Sequence, residues 1–471
     1  EKFKNVEFAI TSLPVDLQRI VVTEAFRASL EVKDYPGAAV RSNDLDVLGA
    51  GPELAASVAV LRGRLAEALG RDQDALAAYA AASGSADRQA ASEAKVREVA
   101  LRQRREEISD DDALRDLETL AATWRGDSIE VQTLSMLEKL YAAKGRYPET
   151  FAAVRRANEL EPNSEAVRKM QDRASTLFEQ IYNGTKGDEL AAVEALAMFY
   201  EFRDLTPIGR RGDEMIRRLA DRLVGVDLLD QASELLQYQI DHRLEGSARA
   251  QVASRLAMVY LMNRKPERAI AALRTTRIAD LAGEIRQQRL LLEARAQTDI
   301  GRHDLALDII SNVGGREAIR LRSDIYWASR RWRESAEQIE LLYGDRWRDF
   351  QPLSPTEKSD VIRAAIGYAL AEDAIGLARF REKYNPKMDG ESDRAAFDLA
   401  SKPAKANSAD FARIAKMAAS IDTLDGFLRD MRVRFPDAMA RAKLPPEIKA
   451  DPNPTGSLPE IVGLKRVKPA R

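Results

Sequence analysis

The 471-residue chain contains no cysteine, which excludes disulfides, thiol nucleophiles and thiolate metal sites. The compartment stays open between periplasm and cytoplasm, with a slight lean to the periplasm because stray thiols are a liability in an oxidising space. Histidine is nearly absent too. His242 and His303 each sit beside a turn without a second ligand at metal spacing, so neither a metal nor any other cofactor is expected. No sign of charge dominates: 73 Lys and Arg face 75 Asp and Glu, a net charge of −2, which argues against a chain whose main work is coating nucleic acid. No apolar run approaches the roughly 18 residues of a membrane helix, so no membrane span is expected. Aromatic residues make up only 6% of the chain, and alanine, leucine, arginine and glutamate dominate, a composition that favours helices over strands. The same alanine and arginine usage suggests a bacterial source. The chain opens EKFKNVEFAI, without a charged segment followed by an apolar core, and the expectation is a processed or excised part of a longer polypeptide.

Catalytic signatures are missing as well. There is no phosphate-binding G-x-x-x-x-G-K-[ST], no G-x-S-x-G and no H-E-x-x-H. LGAGPEL offers G-x-G without a strand and helix around it, so it is a loop. Asp110, Asp111 and Asp112 lack the glycine and distal glutamate of a calcium loop. They sit instead where a helix N-terminus favours negative charge. Asn183-Gly184-Thr185 is a formal glycosylation acceptor to which no weight attaches. The chain is therefore not expected to be an enzyme.

What is present is a repeat. VQTLSMLEKLYAAKGRYPETFAAVRRANELEPNS reads as two amphipathic helices, because apolar residues recur in steps of three and four on both sides of Gly145-Arg146. So short a connection forces an antiparallel hairpin. The pattern returns along the chain, with turns expected near Lys33, Gly70, Ile108, Gly145, Gly187, Asp227, Arg264, Gly301 and Arg331, a period of roughly 37 residues. Small residues such as Gly63 and Ala157 let helix backbones approach, and Tyr79, Tyr141 and Tyr260 fill the grooves between them.

These units resemble the tetratricopeptide repeat family. Leu134, Leu137, Tyr141, Gly145, Ala157 and Pro162 stand at its large, aromatic, small and proline positions, and Gly63, Gly70, Ala75, Tyr79 and Ala82 do so in an earlier unit. The chain departs from the family at Glu138 and Thr150, and its period exceeds the family's usual 34. The resemblance covers most of residues 15–345 and implies an all-α fold, a right-handed α-solenoid of antiparallel helical hairpins. The expected organisation is 1–185 as N-terminal repeats, 186–350 as a second block, 351–435 as atypical capping hairpins, and 436–471 as an extended or disordered tail holding seven of the 18 prolines. GTKGDELAAVEAL is the least regular junction. Ser354 with Glu357 has the spacing of a capping box.

In the family, ligands lie in the concave groove lined by first-helix residues. Carried over unit by unit, those positions are Arg64, Lys95, Arg102 and Lys139 in the first half, and Met258, Met262 and Arg295 in the second. The basic positions suit acidic side chains or a terminal carboxylate, and the methionines suit apolar ones. Trp327, Trp332 and Trp347 form a candidate patch, either a partner surface or a thick packing layer. The resemblance thus implies a non-enzymatic interaction scaffold that binds a protein or peptide, with acidic segments, as part of a larger bacterial assembly. The alternative is the helical solenoid of a cell-envelope enzyme of the lytic-transglycosylase type whose catalytic domain lies elsewhere. An RNA-binding repeat would call for a basic groove that the net charge does not announce.

Overall fold

One backbone turn, repeated nine times, sets the period. In the computed structural model, which describes residues 10–402 and 408–436, left-handed φ values occur at Lys33, Gly70, Glu106, Gly145, Asp227, Arg264, Gly301, Arg330 and Glu372. After each, the next residue donates its N–H to the carbonyl five positions back. Asp34 donates to Ser29 at 2.8 Å, Arg71 to Ala66 at 2.8 Å, Arg146 to Tyr141 at 2.9 Å and Asp373 to Tyr368 at 3.1 Å. This closure satisfies the last carbonyls of the first helix and reverses the chain. Two expected turns shift slightly, from Ile108 to Glu106 and from Arg331 to Arg330. Gly187 does not take the left-handed conformation, and Glu372 adds a further copy.

At Gly145 (φ 72°) an added Cβ would meet nothing within 4 Å, so only the backbone opposes a side chain there. Gly145→Ala should therefore lower stability by about 1 kcal/mol. Asp227→Gly should raise it by a few tenths, both read from denaturant midpoints.

Between the turns the elements are α-helices and a few single 3-10 turns, with no strand among the described residues. The chain divides into two compact units. The first runs to Glu179 and includes Met198–Thr206, and the second comprises Gln180–Ala197 and Pro207 onward. In the first, α1 (Val15–Glu31) pairs with α2 (Tyr35–Leu48), α3 (Gly51–Ala68) with α4 (Asp72–Ser83), α5 (Arg88–Arg104) with α6 (Asp110–Thr123), and α7 (Ser128–Ala143) with α8 (Tyr147–Leu160). α9 (Glu165–Asn183) and α10 (Ala192–Glu201) follow, each divided between the two units. Caps fix several starts: Ser109 accepts from the Asp112 N–H ahead of the acidic first turn of α6, and Asp87 and Asp127 cap α5 and α7.

No hairpin in this unit owns a whole core. Val58, Leu61 and Leu65 of α3 pack with Phe26 and Leu45 of the preceding hairpin, while Val60 and Ala66 of the same helix pack with Tyr79 and the following Ala94. α5 is shared in the same way, with Ala94 and Leu101 in one core and Val96 and Val99 in the next, so the stack holds together through nearest neighbours. Tyr79 and Tyr141 are buried, and their hydroxyls donate to Glu67 at 2.8 Å and Glu118 at 2.9 Å. Tyr260 is buried in the second unit. All three act as packing residues.

The second unit repeats the plan with α11 (Arg210–Gly225) and α12 (Leu229–His242), α13 (Gly246–Met262) and α14 (Pro266–Thr275), α15 (Gly283–Asp299) and α16 (His303–Ile309), α17 (Arg316–Ala328) and α18 (Trp332–Tyr343), and α19 (Pro355–Leu370) and α20 (Ala374–Tyr384). Ser354 and Glu357 form the expected capping box at α19. α21 (Glu391–Ser401) and α22 (Ala409–Ala419) pack on α19, but α23 (Leu424–Arg434) does not close a terminal hairpin with α22. It lies against α17 instead. The proline-rich tail expected over 436–471 falls, beyond Pro436, outside the described residues.

Candidate functional site

Each unit has an inner face made by its first helices. In the first unit α1 touches α3, α3 touches α5 and α5 touches α7. The approach is close enough that Arg27 of α1 reaches Glu93 of α5 at 3.9 Å, past the hairpin between them.

The predicted basic positions lie on this face, though less free than expected. Arg64 is half-buried 3.5 Å from Glu93, which also holds Arg97 at 3.0 Å. Burial and the neighbouring Arg97 hold the Arg64 guanidinium below its ordinary pKa. Lys95 pairs with Asp116 at 2.8 Å and approaches Glu98 at 3.8 Å, and Arg102 takes Glu98 at 2.9 Å. Lys139 is exposed, while both carboxylate oxygens of its buried neighbour Glu138 share the single N–H of Arg173 Nε, each at 3.1 Å. The departure from the family pattern at Glu138 thus has a purpose, since it anchors a cation one repeat further on. The face is a row of arginines and lysines tied at the base by nearly buried glutamates. A guanidinium has five N–H donors, so one carboxylate leaves most of them for other acceptors.

The second unit carries its charges deeper. Asp221 of α11 lies 2.9 Å from Arg255 of α13. Arg363 of α19 lies 2.7 Å from Asp324 of α17, an ion contact that falls short of hydrogen-bond alignment, and Arg295 of α15 stands 3.8 Å away. Arg320 of α17 makes a two-pronged bond to Asp360 of α19, at 3.0 and 2.7 Å. These partners are separated by about one repeat in sequence, so the pairs form rungs between successive first helices. Sequence reasoning did not single out Arg255, Arg320, Asp324 or Arg363. The available signal was a charge on an otherwise apolar first-helix face recurring one period on.

Burial pushes the Asp221 carboxyl up to about 6, against the pull of Arg255. A carboxyl raised above its unfolded value of about 3.9 binds its proton more tightly in the fold, so its contribution to stability is full below that value and is lost as pH rises through about 6. Asp221→Asn should flatten the fall in stability between pH 4 and 6, measured by denaturant titration at several pH values.

The remaining predicted positions are covered. Arg295 is buried beneath α23, donating to Thr423 Oγ1 at 3.0 Å with its guanidinium 5.7 Å from the centre of the Phe427 ring. Met262 is half-buried, with its sulfur 4.0 Å from an Arg432 nitrogen of α23. Met258 is fully buried and so presents no surface to a ligand, because its face of α13 is turned into the packed core. The tryptophans are not a surface patch. Trp327 is buried, Trp332 meets it edge-on at 4.9 Å, and Trp347 packs against the same core. Arg363 stacks over Trp327 at 5.1 Å, the packing-layer alternative.

No helix among the described residues is long and apolar enough to cross a membrane. No protein-family model matches the chain, and no curated protein does. Among the solved structures that match, two illustrate the likeness. One is a complex described as Naa15/Naa10 bound to HypK-THB, at 15% identity over 92% of this chain and 75% of that one, with a TM-score of 0.20. The other is a circular tandem repeat protein of novel repeat topology, at 13% identity over 91% and 97%, with a TM-score of 0.14. Scores that low carry no argument, so the assignment rests on the repeated turns, the shared cores and the paired helices themselves. On those grounds the chain is an all-α solenoid of antiparallel helical hairpins, a helical-repeat protein.

Proposed function

We propose that this chain is a non-enzymatic interaction scaffold of the tetratricopeptide-like kind, and that the inner face of its first unit takes an acidic protein segment. The observation that carries this reading is the row of cations on α3, α5 and α9 held from below by Glu93, Glu98 and Glu138, with the exposed Lys139 of α7 beside it. The anchors fix Arg64, Arg102 and Arg173 in place. Cations held in position lose little further freedom on meeting a carboxylate, which favours specific over diffuse attraction.

The test is affinity capture with cross-linking and mass spectrometry, run on wild type and on Arg102→Glu/Lys139→Glu. Lys139 is exposed, but Arg102→Glu sets a carboxylate against the nearly buried Glu98, so circular dichroism checks that the variant is folded. Cross-links to α5 and α7 should disappear and retention of the acidic partner should drop by about tenfold or more, as expected when two attractive contacts become repulsive. Retention of the same partners at equal affinity would remove the basic face from consideration.

A further inference from the structure

Between α17, α19 and the start of α23 lies a cavity of about 170 Å3. Its floor is charged and buried. Arg320 and Asp324 come from α17, Asp360 and Arg363 from α19, and none of the four side chains is more than 10% exposed. Its mouth is marked by exposed lining residues, Ser359 of α19 and Asp425 and Arg429 of α23.

Half of the floor is well matched. Arg320 holds Asp360 through its two-pronged bond, and the Tyr343 hydroxyl also donates to Asp360, at 2.5 Å. The other half is not. Asp324 faces Arg363 at 2.7 Å, yet neither Asp324 oxygen accepts an aligned hydrogen bond, and Arg363 Nε has no acceptor among the described residues. A carboxylate can take about four donors. Buried polar groups are ordinarily paired, because leaving them unpaired is costly. The floor therefore presents, side by side, two acceptors without donors and a donor without an acceptor.

Size and charge narrow what would fit. An apolar cavity of about 150 Å3 admits benzene, so this one has room for a compound of about six or seven non-hydrogen atoms, or for several waters. Asp324, Asp360, Asp422 and Asp425 stand against Arg320, Arg363 and Arg429 in the lining. An anion alone would face four carboxylates, and a cation alone three guanidiniums. An apolar compound would leave Asp324 and Arg363 unmet. A compound with an ammonium and a carboxylate on one carbon brings three donors and two acceptor oxygens, and it buries no net charge.

We infer that this cavity is a binding site for a small zwitterion, an α-amino acid with a short side chain, its ammonium on Asp324 and its carboxylate on Arg363. The inference concerns the second unit and is independent of the reading given for the first.

The probes are L-alanine and L-serine, titrated into the full chain by isothermal calorimetry. Three controls divide the argument. Ethylamine has the ammonium alone, propionate has the carboxylate alone, and trimethylglycine has both charges but no N–H donor. Alanine or serine should bind with a dissociation constant of about 1 mM or below. Each control should bind at least about tenfold more weakly, because a site built around unmet hydrogen-bonding groups rejects the analogue that cannot meet them. Gly426→Leu fills the cavity and keeps every charge. A Cβ there would stand 3.8 Å from Arg429 Nη2 and 3.9 Å from Arg320 Nη1, so it clashes with nothing. This variant should lose at least about tenfold in affinity for the amino acids, as should Asp324→Asn, with circular dichroism checking each fold. If Asp324→Asn is misfolded, Gly426→Leu alone decides. Absence of any heat from both amino acids would overturn the proposal and leave the cavity to water. Unchanged affinity in folded Gly426→Leu would overturn it as well. So would a control that binds as tightly as alanine.

Discussion

Replacing Asp324 with alanine is expected to lower the stability of the second unit by about 3–5 kcal/mol, because it strands buried cations. Asp324 is among the most deeply buried charges of the described residues. It stands 2.7 Å from Arg363 and 3.8 Å from Arg295, and all three side chains are 1–6% exposed. Arg295 keeps Asp299 at 3.0 Å, but Arg363 loses its only ion-pair partner among the described residues. Its remaining contacts are a 3.3 Å hydrogen bond to Ser323 and the face of Trp327. Neither neutralises a guanidinium out of water. Asp324→Asn keeps the shape and removes the charge, so it should fall between wild type and alanine. The double change Asp324→Leu/Arg363→Met removes both ions together. Its loss should be clearly smaller than the sum of the single changes, since apolar replacement of a whole buried pair is often nearly neutral. Hydrogen exchange should report the effect in α15, α17 and α19 and leave α1 to α5 unchanged. Protection lost evenly over the whole chain would contradict the nearest-neighbour account of the stack. If the double change proved as damaging as the sum, the pair would have to contribute more than mutual compensation.

The second large effect is expected at Gly63, where two tendencies oppose each other. Mid-helix glycine is worse than alanine by about 0.5–1 kcal/mol, so propensity alone predicts that Gly63→Ala stabilises. Packing predicts the reverse. A Cβ on Gly63 would lie 2.4 Å from Cε1 and 2.7 Å from Cδ1 of Tyr79, far inside carbon contact. The ring has little room to retreat, because it is fully buried and its hydroxyl is tied to Glu67 at 2.8 Å. Overpacking of this kind costs typically 1–3 kcal/mol, which exceeds the propensity gain, so Gly63→Ala should destabilise the α3–α4 hairpin by about 1–2 kcal/mol net. Gly225→Ala is the contrast: no atom lies within 4 Å of its added Cβ, so there propensity should win and the variant should be slightly more stable than wild type. Trimming the ring should rescue the first variant, with Gly63→Ala/Tyr79→Leu more stable than the sum of its single changes. A stable Gly63→Ala protein with unaltered exchange in α3 and α4 would mean that the Gly63–Tyr79 approach does not set the hairpin geometry.

These two sites differ in how far the sequence announces them. Gly63 and Tyr79 belong to one hairpin and stand at positions that recur at the repeat period, so their contact was visible as a small residue facing an aromatic one. The same holds for the turns. Three of the nine are glycine, and the others use Lys, Glu, Asp or Arg in the left-handed conformation, tolerated because the helices on either side impose it. The two turns placed a residue or two away, and the missed one at Glu372, lack that glycine marker. Tyr79, Tyr141 and Tyr260 as packing residues, the capping box at Ser354, and the all-α solenoid itself all follow from interactions within about one repeat.

The groove was a different matter. Its positions could be carried over from the family pattern, but not what covers them. Arg295 meets Thr423 across 128 residues and Arg264 meets Asp422 across 158. No period links such distant segments, and GFLRDMRVRF reads from its sequence as half of a terminal capping hairpin. Burial decided the rest. Lys95, Arg102 and Met258 all read as groove residues by register, yet the first two are held by acids one or more turns away and the third is enclosed in the core. Periodicity is a property of neighbours along the chain, and it determined the repeat, the turns and the hairpin packing. Which charges are compensated, and which face is filled, depends on segments that meet only after the array has stacked, and the tertiary structure alone decided that.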